Sequence, residues 1–135
     1  MNRLYDCMDS LITQGVEITV ETFYQPDYSQ PIQQEFMFAY RITLENHSSN
    51  TVQLLRRQWF IFDSNGEHRQ VEGEGVVGQQ PVLKPNETYQ YVSGCNLKSD
   101  IGKMSGFFTM NNLTSNQTFR ADIPAFNLIT PMKLS

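Results

Sequence analysis

The sequence predicts an all-β protein, an antiparallel β-sandwich of seven to eight strands, and three observations carry this prediction. Apolar and polar residues alternate with a period of two along most of the chain. Turn-forming residues separate the alternating segments at roughly even spacing. No segment carries a convincing apolar stripe at helical spacing. Short, evenly spaced strands of this kind are typical of immunoglobulin-like and fibronectin type III-like sandwiches.

The first half of the chain contains the clearest strands. Val16, Ile18 and Val20 alternate with polar residues, which predicts a half-buried strand. The segment FMFAYRITLEN, residues 36–46, alternates over its whole length. The polar turn HSSN then leads into TVQLLRRQWFIFD, residues 51–63, a strand that is apolar on both faces near its end.

The second half begins with a hairpin and continues with further strands. Asn65-Gly66 predicts a tight two-residue turn in which both residues take positive φ, and a return strand follows it. Three later segments alternate in the same way: TYQYVSG, MSGFFTMN and TFRADIPAFNLI. Pro124 cannot donate a ladder hydrogen bond, so its strand is expected at an edge or with a kink.

Length and composition indicate one soluble domain. We expect the sandwich over residues 13–130, a flexible N-terminal arm over 1–12 that could form a short turn, and a C-terminal tail over 131–135. The beginning of the chain lacks the apolar core of a signal peptide, and no apolar run approaches the roughly twenty residues of a membrane span. A cytoplasmic location without membrane association is therefore expected.

Charge and cysteine content exclude other classes. Ten basic and fourteen acidic residues give a net charge of −4, and no block of Lys or Arg offers a surface for nucleic acid. Cys7 and Cys95 match no disulfide framework and no zinc motif. The glycosylation sequons at Asn46, Asn86, Asn112 and Asn116 are expected to be chance matches without an export signal.

The segment GEGVVG, residues 73–78, matches the pattern G-x-G-x-x-G of dinucleotide-binding proteins. The helix that this fold requires is missing, since Pro81 and Pro85 follow closely. The acidic residue expected about twenty positions on is missing too, since the region around Asn96 to Lys98 carries none. Two interpretations stay open. Backbone N–H groups of Gly73, Gly75, Val76, Val77 and Gly78 could cradle an anion, with Arg57 as a clamp. Alternatively, the glycines let a connection cross tightly, leaving Val76 and Val77 to pack or to be displayed.

Catalytic and metal-binding constellations are not apparent, so we expect neither an enzyme nor a resident metal or cofactor. His47 and His68 are the only histidines, and both lie in or beside polar turns; a weak surface metal site near His68, Asp63 and Glu67 is conceivable. Cys95 is expected to be a small buried apolar residue rather than a nucleophile.

Trp59 is expected to anchor the core of the sandwich. Arg57 would share its face if the alternation is unbroken. Either a bulge separates the two residues, or Arg57 lies at the rim near the glycine connection.

Together these motifs resemble the ApaG family. The matching pieces are R-x-W at Arg57 and Trp59, the Asp63 hairpin, GEGVVGQQP, YVSGC and GKMSG. The resemblance covers roughly residues 13–130, and it departs from the family pattern at Asn86, where a glycine is usual.

The resemblance implies a fibronectin-type sandwich in a bacterial protein associated with cobalt and magnesium efflux or resistance, without an established activity. It also implies a protein-recognition role, since related modules serve that role in eukaryotes, and nucleotide or pyrophosphate binding has been suggested for the glycine motif. We expect a non-catalytic recognition module for a protein or peptide. The alternative is a weak binder of phosphate-bearing small molecules at Gly73–Gly78, and a homodimer is conceivable because sandwich edges need cover.

Overall fold

Alternation of apolar and polar residues produces strands throughout the computed structural model, which describes residues 8–134. The two short 3₁₀ turns Pro26–Tyr28 and Pro31–Gln33 connect the second strand to the third, and one helical turn, Pro131–Leu134, ends the described chain. The strands within the described residues are β1 (Met8–Thr13), β2 (Val16–Tyr24), β3 (Phe36–Asn46), β4 (Val52–Asp63), β5 (His68–Glu74), β6 (Val82–Leu83), β7 (Thr88–Leu97), β8 (Ile101–Asn112) and β9 (Gln117–Ile129).

The strands form two antiparallel sheets that pack as a sandwich. One sheet has the order β1-β2-β3-β7 and the other has the order β5-β4-β8-β9, with β6 beside β4. This arrangement confirms the predicted all-β fold class. The described residues hold nine strands rather than seven or eight, because β1 and the two-residue β6 are added.

The core lies between the inner faces of the two sheets. Along β3 every second residue from Phe36 to Asn46 is buried, as the alternation predicts. Trp59 is buried in β4, where its ring makes edge contacts with Tyr40, Phe108 and Phe126 at centroid distances of 5.3, 6.5 and 5.9 Å. Trp59 is therefore a core residue, as expected from its place in the strand.

The N-terminal region differs from the expectation of a flexible arm over residues 1–12. Met8–Thr13 form β1, paired with β2 from Met8↔Glu21 to Thr13↔Val16, so the sheet begins before residue 13. Gln14 and Gly15 close the hairpin at φ 49° and 82°. The sequence LYDCMDSLI is compatible with a short turn, but it forms strand from Met8 onward. The residues of this segment before Met8 lie outside the described residues, as does Ser135 of the predicted tail.

The hairpin at Asn65-Gly66 is present but has a different turn. Gly66 takes φ 99°, whereas Asn65 does not take positive φ. The N–H of Gly66 donates to the carbonyl of Asp63 at 2.9 Å, and the N–H of Asp63 donates to the carbonyl of Glu67 at 2.9 Å. The prediction that both residues take positive φ was wrong, because the longer loop places only the glycine in the left-handed region.

Strand β9 confirms both expectations for Pro124. It lies at the edge of its sheet, and its pairing with β8 shifts register between Met104 and Gly106, opposite Pro124. An edge strand with a bulge accommodates a residue that has no N–H to donate.

The two long sides of the sandwich differ. On one side β9 lies against β1 and β2. On the other side the edge strands are β5 and β7. Within the described residues the backbones of these two strands do not pack closely against each other. The sandwich is therefore open along β5 and β7. No helix within residues 8–134 is long and apolar enough to cross a membrane.

Candidate functional site

The glycine connection folds as a tight hairpin after β5. Val76 and Gln79 exchange backbone hydrogen bonds of 2.8 and 2.9 Å, and Val77 and Gly78 between them take φ 48° and 76°. Gly75 takes φ 65°, and a Cβ there would lie 2.2 Å from the carbonyl oxygen of Gln79. Glycine is required at this position by both backbone conformation and space.

Gly73 has a different role: its lack of a side chain leaves room for the Arg57 guanidinium to lie over β5. Gly73 pairs with Arg57 across β4 and β5, and a Cβ on Gly73 would lie 2.9 Å from both terminal guanidinium nitrogens. Arg57 Nη1 donates to the carbonyls of Glu74 at 3.1 Å and Gly75 at 2.9 Å. The guanidinium thus lies flat over the glycine at the rim of the sandwich.

The register of β4 decides that Arg57 points inward. A β-bulge between Leu54 and Arg56 shifts the alternation by one residue, and no further shift separates Arg57 from Trp59. Of the two possibilities open from the sequence, Arg57 therefore shares the face of Trp59 and lies at the rim.

The backbone donors of the glycine connection are partly engaged. The N–H of Gly75 donates to the carbonyl of Leu55 at 2.8 Å, and the N–H of Val76 donates to Gln79. Val76 is buried, whereas Val77 is 63% exposed at the tip beside Gly78. The structure brings Arg57, Gly73 and Gly75 together and leaves Val77 and Gly78 at the end of the turn.

A cleft of about 380 Å³ opens between β5 and β7, next to this connection. Tyr40 and Trp59 lie among the buried residues that line it, and Val71, Val77 and Val92 are exposed lining residues. Arg57 and Arg69 also line it, and no carboxylate within residues 8–134 forms an ion pair with either arginine. The cleft therefore combines apolar side chains with two arginines that form no ion pair within the described residues.

Arg69 connects the two edge strands. From β5 its Nη2 donates to the main-chain carbonyl of Asn96 in β7 and approaches Cys95 Sγ at 3.5 Å. Burial raises the pKa of the Cys95 thiol, which keeps the thiol protonated near neutral pH. A protonated thiol is a poor nucleophile, and the structure confirms that Cys95 is buried.

Tyr91 is the polar residue of the cleft that lacks a partner. It is 9% exposed, and its hydroxyl makes no hydrogen bond within the described residues. Burial, and to a lesser degree the Tyr40 hydroxyl, raises the pKa of Tyr91, so the group stays a neutral donor. An unsatisfied buried hydroxyl costs about 1–3 kcal/mol.

A second cluster, which the sequence analysis missed, lies on β2 and β3 and the turn that follows β3. Glu17 and Glu45 face each other across β2 and β3, and His47 Nε2 lies 3.0 Å from Glu17 Oε1 and 3.5 Å from Glu45 Oε2. Within the described residues these three form the one group with the spacing of metal ligands. Only the strand register could have revealed the cluster, and His47 also serves there as a bridge between two like charges.

The conceivable metal site around His68 is not assembled. The Asp63 carboxylate accepts hydrogen bonds from the Lys98 N–H at 2.6 Å and from the Ser99 hydroxyl. The His68 ring instead packs on Phe62, at 4.8 Å between ring centroids. Asp63 therefore joins the hairpin to the β7–β8 turn.

Comparisons with known proteins agree on one family. The sequence model of a family described as the ApaG domain matches residues 26–112. The protein ApaG of Brucella canis is 47% identical over 124 residues, which cover 92% of this chain and 95% of that protein. The protein ApaG of Brucella anthropi is 45% identical over 120 residues, which cover 89% of this chain and 92% of that protein.

Solved structures show the same fold. The crystal structure of a protein described as ApaA from Bordetella pertussis matches with a TM-score of 0.83 and 38% identity, covering 86% of this chain and 94% of that one. From the domain match, the sequence identity and this structural similarity, we conclude that the chain belongs to the ApaG family.

Proposed function

We propose that the protein is a non-catalytic recognition module that binds an extended segment of a partner protein along the cleft between β5 and β7. The observation that carries this proposal is a cleft, lined by apolar residues and two arginines, between two strand edges that are unpaired within the described residues. An exposed strand edge offers main-chain hydrogen bonds to an added strand, and neighbouring pockets receive its side chains.

The backbone of β7 supports the pairing. Because the carbonyl of Asn96 accepts from Arg69, the backbone groups of Asn96 point away from β3. Alternate residues of an antiparallel strand direct their N–H and carbonyl groups to the same side, so those of Val92 and Gly94 also point outward. The Asn96 carbonyl is already bound by Arg69, so the N–H of Asn96 and the N–H and carbonyl groups of Val92 and Gly94 supply the hydrogen bonds for an incoming strand.

Exposed apolar side chains at the mouth support the same reading. Val71 and Val77 are 39% and 63% exposed, and both line the cleft. Covering such side chains with a partner stabilises a complex by about 25 cal/mol per Å² of apolar surface.

A peptide library selected for binding to the full chain tests this function. We expect the selected peptides to be extended and to shift the amide NMR signals of Val92, Gly94 and Asn96. Val71→Asp should weaken their binding about tenfold or more, since Val71 lies opposite the buried Trp59 on the cleft face of β5 and the change places an ionised group there. The matched control Ile32→Asp changes a 99% exposed residue that does not line the cleft, and it should bind as the parent does. Peptides that map elsewhere would overturn the proposal.

The second candidate is a phosphate-bearing small molecule held by Arg57 beside Gly73–Gly78. Its support is the guanidinium, which pairs with no carboxylate within the described residues. The engaged N–H groups of Gly75 and Val76 favour the peptide instead. Binding of pyrophosphate should weaken steeply as salt rises, whereas an apolar peptide interface should persist.

We propose that the protein influences cation levels only through its partner. Arg57 and Arg69 line the cleft, and their positive charge disfavours a bound Co²⁺ or Mg²⁺ there. We therefore propose that the complex with the partner, rather than a metal bound in the cleft, influences cobalt or magnesium efflux. We also propose that this complex acts in the cytoplasm. A second copy of the chain also has an unpaired strand edge and is one partner that fits. Sedimentation at rising protein concentration tests whether the chain associates with itself.

A further inference from the structure

We propose that the cleft contains a carboxylate subsite, in which Arg57 and the Tyr91 hydroxyl bind an acidic side chain of the partner segment. This inference rests on the proposed recognition function and specifies its anchor. Within residues 8–134, the subsite combines an arginine without a carboxylate partner and a buried hydroxyl without any hydrogen bond.

Arg57 is held in place by one of its nitrogens, and its other two nitrogens remain available to a ligand. Its Nη1 is bound to the carbonyls of Glu74 and Gly75, which fixes the plane of the guanidinium over Gly73. Its Nε and Nη2 make no hydrogen bond within the described residues. A guanidinium so oriented offers a carboxylate two N–H groups in a fixed geometry.

Tyr91 contributes a neutral donor at the buried end of the cleft. Nine-tenths of the side chain is buried, and the residue lines the cleft together with Arg57 and Trp59. Arg57 lies on β4 and Tyr91 on β7, so the two residues line the cleft from different sheets. Native proteins rarely leave a buried hydroxyl without a partner, and a binding site is one reason for such an exception.

The number of donors favours a carboxylate over a phosphate. Arg57 Nε, Arg57 Nη2 and the Tyr91 hydroxyl are three donor groups with four hydrogens in all, enough for the two oxygens of one carboxylate. A phosphate presents three or more oxygens and about two negative charges. Arg69 adds charge but already donates its Nη2 to Asn96, and the N–H groups of Gly75 and Val76 are engaged.

Apolar neighbours make the interaction selective. Trp59 and Val76 are buried and line the cleft together with Arg57, so the subsite has apolar walls. In such surroundings a charge-assisted hydrogen bond is stronger than in water, and an uncharged amide in place of the carboxylate gains much less. The subsite therefore distinguishes glutamate or aspartate from glutamine or asparagine.

The test compares four synthetic probes: the peptide Thr-Val-Glu-Val-Thr, its Gln counterpart, and the single-residue amides N-acetyl glutamate amide and N-acetyl glutamine amide. Trp59 is the only tryptophan of the chain and lines the cleft, so its fluorescence reports binding. The Nε–H NMR signal of Arg57 reports the contact itself. We expect the Glu peptide to bind at least about tenfold more tightly than the Gln peptide at fixed ionic strength.

Two variants and two controls assign the preference to the subsite. Arg57→Gln and Tyr91→Phe should each reduce the Glu preference to about twofold or less. Arg56→Gln makes the same charge change on an exposed residue outside the cleft, and Tyr89→Phe removes a hydroxyl two residues along β7. Both controls should keep the full preference. Tyr91→Phe removes a group without a partner, so it should fold even if Arg57→Gln does not.

Each outcome decides between the subsite and the broader function. Equal binding of the Glu and Gln peptides overturns the subsite and leaves strand recognition standing. Binding of N-acetyl glutamate amide with no gain from the longer peptide supports the anchor and overturns strand recognition. Pyrophosphate that binds more tightly than the Glu peptide assigns the arginine to phosphate and overturns the carboxylate. A lack of binding by all four probes overturns both.

Discussion

At the scale of single residues, buried polar groups join loops to strands. Asn46 is completely buried at the end of β3, and its Nδ2 donates to the carbonyls of Asn50 at 2.8 Å and Leu83 at 3.0 Å. Its Oδ1 accepts from the N–H and hydroxyl of Ser48. A side chain with all its hydrogen bonds made and no exposed surface cannot receive a glycan in the folded state, so this sequon is a structural asparagine.

The role of Asn46 predicts a large loss of stability on substitution. Asn46→Ala leaves buried backbone groups unsatisfied, and we expect the free energy of unfolding to fall by about 3 kcal/mol. Asn127→Ala, at an exposed position of β9, should change it by less than about 0.5 kcal/mol. Urea denaturation of the two variants measures the difference. A fall in the free energy of unfolding that is as small for Asn46→Ala as for Asn127→Ala would show that the Asn46 hydrogen bonds do not stabilise the fold.

At the scale of elements, the hairpin after β5 stores strain beside the cleft. Val77 takes φ 48°, a conformation that β-branched residues rarely adopt. The same side chain is exposed and lines the mouth of the cleft. A strained and displayed valine fits a residue that is kept for contact rather than for stability.

Relief of this strain gives the second prediction. Val77→Asn should raise the free energy of unfolding by about 1 kcal/mol, because asparagine tolerates the left-handed region. The same change should weaken peptide binding, since it removes apolar surface from the mouth. Val82→Asn, exposed and without positive φ, should give no gain in stability. Thermal denaturation and a peptide titration measure the two effects, and a destabilised Val77→Asn would contradict the argument.

At the scale of the whole molecule, the sandwich buries three ionisable groups along its open side. Burial raises the pKa values of Tyr40, Tyr91 and Cys95, and all three residues line the cleft. The folded state therefore holds these protons more tightly than the unfolded chain does. Their contribution to stability is complete below the ordinary pKa values of the unfolded chain, 9.0 for the thiol and 10.0 for the phenols, and is lost as the pH rises further.

The third prediction is a loss of stability in alkali that begins near pH 9. In a Cys7→Ser background, which leaves one thiol, the free energy of unfolding should fall between pH 8 and pH 10 by about 1 kcal/mol. In the same background Cys95→Ala should delay the fall until the tyrosines titrate, near pH 10. Urea denaturation at each pH tests this sign. A stability that rises over this range would show that the thiol is ionised in the folded state.

The sequence by itself determined the strands, the faces of most of them and the membership of one family. Alternation identified residues 36–46 because the side chains of a strand point to opposite faces, a property that is local in sequence. The same logic placed Trp59 in the core, and motif chemistry singled out Arg57 and Gly73. It failed at Met8–Thr13, where a mostly exposed edge strand carries little apolar alternation.

The tertiary structure alone decided where the cleft lies and which groups meet in it. A bulge after Leu54 turned Arg57 rather than Arg56 toward the interior, and no local pattern marks that bulge. Tyr89 and Tyr91 look alike in the sequence, yet only the Tyr91 hydroxyl is buried without a partner within the described residues. Tyr91 of β7 and Arg57 of β4 line one cleft because β7 and β5, the neighbour of β4, end different sheets on the same side. Strand order is a long-range property, which alternation within each strand does not encode.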